Sequence, residues 1–238
     1  MTTITRPAPT RVSADPTRSH ARAAGAFYLL TFAASIPALL MIQSVVSPDL
    51  TVASGHDNRL LGAGFLDFVN ALAGIGSAVA LYPVLKRQNQ AMALGLVMSR
   101  MTEAAIIMTG VVSLLAVVTM RSDVAGADPA ISQALVAVRD WTFLFGPGFM
   151  ACCNAVLLGT LMYKSGLVPR IIPIMGLVGA PLLFAANTAT LFGHNEQTSG
   201  ISMLATLPIA AWELSVGTWM LVKGFKPSPI TAGLTQVD

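Results

Sequence analysis

Four charged side chains lie within long apolar stretches of this sequence, where charge is costly. They are Asp67, Arg100, Glu103 and Glu213. A charge near the centre of a bilayer costs about 2.5–3.5 kcal/mol on insertion scales, so such residues face a protein interior or a hydrated cavity. Carboxylates placed there can bind a cation, carry a proton or act as general acid and base. These four residues are therefore the first candidates for chemistry.

The spacing of the polar residues favours a shared site. Arg100 and Glu103 are three positions apart, which puts both on one helix face, and Asp67 and Asn70 have the same spacing. One arginine against three carboxylates leaves a formal deficit of two positive charges. We therefore expect a protonated carboxylate, a hydrated cavity or a bound cation. Three amide side chains lie in the same apolar stretches: Asn70, Asn154 and Asn187.

The composition indicates which elements must hold these residues. Hydrophobic residues make up 54% of the 238 positions and charged residues only 11%, whereas soluble domains carry about 25% charged residues. This excludes an ordinary soluble domain and, because the hydrophobicity is high, a disordered chain. Six apolar stretches reach the roughly 20 residues needed to cross a bilayer: 23–46, 60–85, 92–120, 141–162, 171–192 and 202–222.

We therefore expect an all-α protein, a polytopic transmembrane bundle of six helices forming one domain over residues 23–222. Residues 1–22 form a basic tail that we expect to be mobile, and residues 223–238 form a short C-terminal tail. The connections between spans are too short for an extramembrane domain.

Basic residues between the spans predict the orientation, because cytoplasmic loops are enriched in Lys and Arg. With the N-terminus inside, the inner side holds ten basic residues and the outer side three. The protein should thus be a multi-pass plasma-membrane protein with both termini cytoplasmic. The inner ten are Arg6, Arg11, Arg18, Arg22, Lys86, Arg87, Lys164, Arg170, Lys223 and Lys226, and the outer three are Arg59, Arg121 and Arg139.

The same orientation predicts how deep each polar residue lies. At about 1.5 Å of rise per residue, Glu213 lies roughly 16 Å from the outer surface and Glu103 roughly 16 Å from the inner one. Asn154, at roughly 20 Å from the outer surface, could join them at the midplane. We expect an outward extension of this cluster from three further residues: Asp67, Asn70 and Asn187.

Three functions fit these residues. In the first, a small transporter, Glu103 or Glu213 carries a proton or cation, Arg100 keeps the second carboxylate ionised or contacts an anionic group, and Asp67 lines the outer approach. In the second, an intramembrane enzyme uses the carboxylates on a lipid-soluble substrate. In the third, a non-catalytic scaffold uses the charges as a structural cluster. The transporter is our leading hypothesis, and we therefore favour a function without catalysis.

Missing motifs limit the chemistry further. The three histidines, His20, His56 and His194, lie outside the spans, and the chain has no HExxH, GxSxG or Walker motif. We expect no metal, haem or other cofactor.

The basic residues form no single patch, so we expect the lipid bilayer and a small polar or cationic ligand as partners, and no nucleic acid. Faces of small residues could serve contacts within one chain or in a homo-oligomer.

Several short motifs follow one another along the chain: Arg22 with Gly25, Tyr28 and Thr31; Tyr82 with Pro83 and Lys86; Arg100 with Glu103; Gly159 with Tyr163; Val168 with Pro169 and Arg170; and Glu213 with Gly217, Trp219 and Lys223 to Phe225. In their order and spacing these motifs resemble the bacterial DUF4386 family of unknown function, over about residues 20–226. The resemblance implies one domain of six transmembrane helices in a bacterial inner membrane, and no established reaction. At the position of Asp67 the family commonly has Glu.

Overall fold

A computed structural model describes residues 16–53, 55–123, 128–197 and 199–232. These residues are helical apart from connections, with one isolated bridge between Val46 and Val52. Six helical segments are long and apolar enough to cross a membrane, which confirms the predicted all-α architecture. The elements are α1 (Pro16–Gln43), α2 (Asp57–Leu85), α3 (Gln90–Asp123), α4 (Pro129–Phe143), a π-helix (Leu144–Met150), α5 (Ala151–Ser165), α6 (Ile171–Leu191) and α7 (Gly200–Val222).

The first span begins earlier than predicted. Helix α1 starts at Pro16 rather than at residue 23, so residues 16–22 are helical and do not belong to a mobile tail. Proline suits a first helical position because its missing N–H has no partner there. Thr17, Ala21 and Ala24 are buried, and this helical spacing lets the first turns pack against the bundle. The rest of the predicted tail, residues 1–15, lies outside the described residues.

The fourth span is also longer than predicted. We expected residues 141–162, whereas one apolar helical segment runs over Pro129–Ser165. Its start has a regular cap: the Asp128 side chain accepts a hydrogen bond from the backbone N–H of Ala130 at 2.9 Å, and Pro129 follows the cap. The other predicted spans, 60–85, 92–120, 171–192 and 202–222, match α2, α3, α6 and α7 within three residues at each end.

The helices form a closed bundle in which α1 packs against α2 and α7, α2 against α3, and α6 against α5 and α7. We call the end where α1 begins the basic end. There the described residues that follow α7 run back over α5, since the Lys226 N–H donates to the Leu167 carbonyl at 2.8 Å. The Ser228 hydroxyl donates to the Ser165 carbonyl at 2.7 Å. The predicted C-terminal tail is thus packed as far as residue 232, and residues 233–238 lie outside the described part.

The opposite end, which we call the acidic end, is held by contacts between its connections. Arg121 pairs with Asp57 at 3.1 Å, and Gln133 donates to the Asp49 carbonyl at 3.3 Å. A small set of buried apolar residues joins α2 to α3 at Ala71, Ala104, Ile107 and Val111, and two larger sets fill the ends of the bundle. One lies toward the basic end and includes Tyr28 of α1, and the other lies toward the acidic end and includes Ile42 of α1. Between them, α1 faces a cavity.

Candidate functional site

Arg100 is the centre of the buried polar cluster. Its Nη1 donates to Glu103 Oε2 at 2.9 Å. Its Nη2 donates to Glu213 Oε1 and to the Tyr28 hydroxyl, each at 3.0 Å. Since Arg100 is only 5% exposed, this guanidinium links α1, α3 and α7 within the interior. Charge-assisted bonds of this kind are the stronger hydrogen bonds of proteins.

Tyr28 takes part in the cluster although sequence reasoning had noted it only within a family motif. Its ring also lies under the Arg100 guanidinium, with 5.1 Å from Cζ to the ring centroid. Tyr28 is 2% exposed. A tyrosine near the end of an apolar stretch is equally typical of a membrane-interface anchor, so no sequence signal distinguished this role.

Asn154 of α5 also holds Glu103 in place. Its Nδ2 donates to Glu103 Oε2 at 2.8 Å, so that this oxygen accepts two hydrogen bonds. Asn154 is 1% exposed and does not contribute to the cavity wall described below. It therefore orients Glu103 and does not offer a contact to a ligand.

A cavity of about 260 Å³ lies beside this cluster. All seven α-helices and the π-helix contribute to its wall, and α5 does so through Ala151. The polar wall residues are Thr31, Ser35, Asp67, Asn70, Arg100, Glu103, Arg139, Thr206 and Glu213, and the apolar ones are Phe32, Ile36, Leu39, Phe143, Pro147, Ala151, Leu183, Ile209 and Ala210. Of the seven predicted site residues, five thus share one cavity.

One carboxylate oxygen of each glutamate makes no hydrogen bond to Arg100. The hydrogen bonds among the described residues use Oε2 of Glu103 and Oε1 of Glu213, and none uses Glu103 Oε1 or Glu213 Oε2. The two side chains are 10% and 18% exposed. Arg100 Nε is also buried and has no hydrogen-bond partner within the described chain. The two carboxylates, which line the cavity, can therefore still accept hydrogen bonds there.

Arg139 is the residue that sequence reasoning misplaced. We expected it in an outer loop, whereas it lies on α4, is 7% exposed and lines the cavity. It pairs with Asp140 at 3.5 Å, and its Cζ lies 4.9 Å from the Phe143 ring centroid. The helix-start signal of Asp128 followed by proline could have found it, because ten residues into a helix correspond to about 15 Å of depth.

Asp67 faces Arg139 across the end of the cavity that lies toward the acidic end. The two charges interact electrostatically and both line a smaller void of about 20 Å³. Within the described chain no ion pair of 4.0 Å or less joins them; Arg139 pairs instead with Asp140. Asn70, one turn further along α2, lines the main cavity next to the Arg100 cluster.

Asn187 stands apart from the cluster. It does not line the cavity, and a methyl group added to Gly148 of the π-helix would lie 3.1 Å from its Nδ2. That Nδ2 is buried and has no hydrogen-bond partner within the described residues. The expected outward extension of the site thus contains Asp67 and Asn70 but lacks Asn187.

The charge balance of the cavity is less negative than the sequence suggested. Asp67, Glu103 and Glu213 contribute three negative charges, and Arg100 and Arg139 contribute two positive ones, which leaves a formal charge of −1. The sequence predicted a deficit of two positive charges, whereas the cavity has a deficit of one. Such a cavity can hold one additional positive charge, either a proton on a carboxylate or a bound cation.

The described residues contain no group of three or more His, Cys, Asp or Glu side chains that could hold a metal ion. His20, His56 and His194 do not line the cavity. The chemistry of the site therefore belongs to carboxylates, guanidinium groups and amides.

Comparison with known proteins agrees with the fold. The model of a domain of unknown function, DUF4386, matches residues 23–224, a range that contains every residue of the cavity wall. No curated protein and no solved structure matches the chain. Because the family model covers most of the sequence, the chain belongs to the DUF4386 family, and its six helices able to span a membrane make it a multi-pass integral membrane protein.

Proposed function

We propose that the protein is a small transporter-like membrane protein that binds a cationic solute, or a proton in its place, at Glu103 and Glu213. The observation that carries this proposal is a cavity of about 260 Å³ onto which both carboxylates face. Arg100 balances one of the two charges and holds both side chains in place. The second negative charge and the two uncommitted oxygens are then available to a cation.

The rival functions account less well for this geometry. A structural cluster would be expected to be dry and fully paired, whereas these charges border a cavity. An intramembrane enzyme would commonly add a histidine base or a cysteine nucleophile to such carboxylates. Within the described chain no histidine or cysteine lines the cavity to take that role.

The distribution of basic residues supports a plasma-membrane location with both termini in the cytoplasm. Since Arg139 lies in the interior, only Arg59 and Arg121 remain on the predicted outer side, against ten on the inner side. The bias that sets orientation is therefore stronger than the sequence count suggested. A phosphatase reporter, active only outside the cytoplasm, should be inactive when fused after Asp238 and active when fused after Pro48. The reverse pattern would contradict this orientation.

Cation binding can be tested with the purified protein in nanodiscs. The probes are quaternary ammonium ions of increasing chain length, from tetramethylammonium to hexyltrimethylammonium. A probe at 100 times its dissociation constant stabilises the protein that binds it by about 2.7 kcal/mol, which thermal unfolding detects. Glu103→Gln and Glu213→Gln should each weaken binding at least tenfold. Glu196→Gln, the same change at an exposed position of the acidic end, should leave binding unchanged.

Transport itself is tested by flux of the same probes into proteoliposomes under an inside-negative potential. We expect uptake above that of protein-free liposomes, lost in Glu103→Gln and Glu213→Gln and retained in Glu196→Gln. If both glutamate variants fold normally and bind and transport every probe as the wild type does, the proposed function is wrong.

A further inference from the structure

Helices α1 and α7 carry the part of the cavity wall that also lies on the outer surface of the bundle. Two of its wall residues are exposed on the bundle surface: Ile36 on α1, with 52% of its surface accessible, and Thr206 on α7. The residues behind them, Ile209 on α7 and Leu183 on α6, are buried. Ile36 and Thr206 thus connect the cavity wall with the bundle surface, and we call this place the α1–α7 opening.

This opening lies at a depth where lipid, and not water, surrounds the protein. Ile36 precedes the end of α1 at Gln43 by seven residues, and Thr206 follows the start of α7 at Gly200 by six. At 1.5 Å per residue both lie roughly 10 Å below the acidic end of their helices. Their neighbours Leu40 and Leu207 are each 60% exposed, as expected of side chains that face hydrocarbon.

The opening is confined to the half of the bundle toward the acidic end, because α1 and α7 touch near the basic end. A methyl group added to Gly25 would lie 2.5 Å from the Leu221 backbone nitrogen and 2.6 Å from the Gly217 carbonyl oxygen. Such proximity leaves no space between the helices there. A molecule that uses the α1–α7 opening thus comes from the bilayer half on the acidic side.

The interior has two chemically different parts. Glu103 and Glu213 provide negative charge at the deep end, while Ile36, Leu39 and Ile209 provide apolar wall on the path from the opening. Glu103 is more than nine-tenths buried, and its Oε1 makes no hydrogen bond with the described residues. A ligand that fits both parts has a positive head and an apolar chain.

We infer that the ligand is an amphiphilic ammonium compound that enters from the lipid through the α1–α7 opening. This rests on the proposed function and adds its substrate class and route. The chain must be short, since a cavity of about 260 Å³ is smaller than the 300–1,000 Å³ typical of drug-sized ligands. The ammonium head pairs with Glu103 and Glu213, and the chain lies along α1 toward the opening.

Chain length gives the first test. In phosphatidylglycerol nanodiscs, hexyltrimethylammonium should bind at least tenfold more tightly than tetramethylammonium, which has the same head. Affinities are corrected for the partition of each probe into protein-free nanodiscs of the same lipid. Equal corrected affinities would overturn the inference.

Blocking the opening gives the second test. Ile36→Trp should slow the association of hexyltrimethylammonium at least fivefold. Leu40→Trp, the same substitution one turn away on the lipid-facing surface of α1, should not. Ile36→Phe provides a smaller block if the tryptophan variant folds poorly. An unchanged association rate in a folded Ile36 variant would show that the ligand does not pass this point.

The ammonium group could belong to a free amphiphile or to a lipid headgroup. Replacing half of the phosphatidylglycerol by phosphatidylcholine, whose headgroup carries the same trimethylammonium, distinguishes the two. Competition with hexyltrimethylammonium supports the headgroup, and its absence supports the free compound.

These experiments separate the inference from the proposed function. If chain length and Ile36→Trp have no effect while Glu103→Gln and Glu213→Gln abolish binding, the cation site stands and the lipid route is wrong. If the glutamate variants bind every probe normally, the proposed function itself is wrong.

Discussion

Arg100 Nη2 lies 3.0 Å from Glu213 Oε1, a contact that joins α3 to α7 across the polar centre of the bundle. The same guanidinium holds Glu103 through Nη1 at 2.9 Å. Removing one partner of a buried ion pair costs far more than the pair contributes, because it leaves an unpaired charge in a poor solvent for ions. The energetic role of Arg100 is therefore to make two adjacent carboxylates compatible with burial.

Arg100→Gln should destabilise the fold by about 3–5 kcal/mol, the cost of leaving buried charge unpaired. In the Glu103→Gln/Glu213→Gln background, where no carboxylate depends on it, the same substitution should cost much less. Unfolding in mixed micelles measures both differences. An equal cost in the two backgrounds would show that Arg100 acts through packing and not through charge.

Asn154→Ala should cost about 0.6 kcal/mol, and at most about 1.7 kcal/mol, as interhelical hydrogen bonds in membranes do. Most of this cost should vanish in the Glu103→Gln background, because that substitution already removes the contact from Asn154 Nδ2 to Glu103 Oε2. Asn187→Ala is the matched control. Its Nδ2 has no hydrogen-bond partner within the described chain, so its cost should not depend on Glu103. A double-mutant cycle that finds no coupling between Asn154 and Glu103 would contradict the contact.

Gly25→Ala should destabilise the bundle by about 1–3 kcal/mol, the usual cost of overpacking. The added methyl group would lie 2.5 Å from the Leu221 backbone nitrogen, and backbone cannot move aside as a flexible side chain can. Gly62→Ala is the control, because its methyl group would meet only the Met41 side chain at 3.6 Å. That substitution should be neutral or stabilise α2 by about 0.5–1 kcal/mol. Thermal unfolding compares the two, and similar values would argue against close contact of α1 with α7.

Arg139→Gln should raise the affinity for hexyltrimethylammonium by about two- to fivefold, since a partly screened charge contributes about 0.5–1 kcal/mol. The substitution removes a positive charge from the cavity wall, which makes the cavity more attractive to a cation. Arg121→Gln removes the same charge at the acidic end and should change the affinity less. A lower affinity in Arg139→Gln would indicate that Arg139 contacts the ligand or fixes Asp67.

Sequence reasoning predicted the six spans because length and hydropathy alone decide whether a helix can cross a membrane. It also placed Arg100 and Glu103 on one face, since that follows from helix periodicity. It could not place Asn187, because counting residues gives the depth of a side chain but not the direction in which it points. Asn187 has a suitable depth and faces the π-helix instead of the cavity.

Arg139 was missed for a different physical reason. A charged pair such as Arg139 and Asp140 lowers the local hydropathy, and a span drawn by hydropathy then begins after it. The protein instead buries the arginine by stacking it on Phe143 and keeping Asp140 at the rim, with its side chain 41% exposed. A span boundary drawn by hydropathy can therefore miss a buried arginine when an acidic residue of the same helical turn balances its charge.

The π-helix Leu144–Met150 separates Arg139 from Asn154 along the fourth span. A π-turn corresponds to one residue inserted into an α-helix, and each α-helical residue turns the chain by about 100°. The π-helix therefore acts as a phase shift between the two halves of the span: deleting one of its residues would restore α-helical spacing and rotate Asn154 by about 100° relative to Arg139.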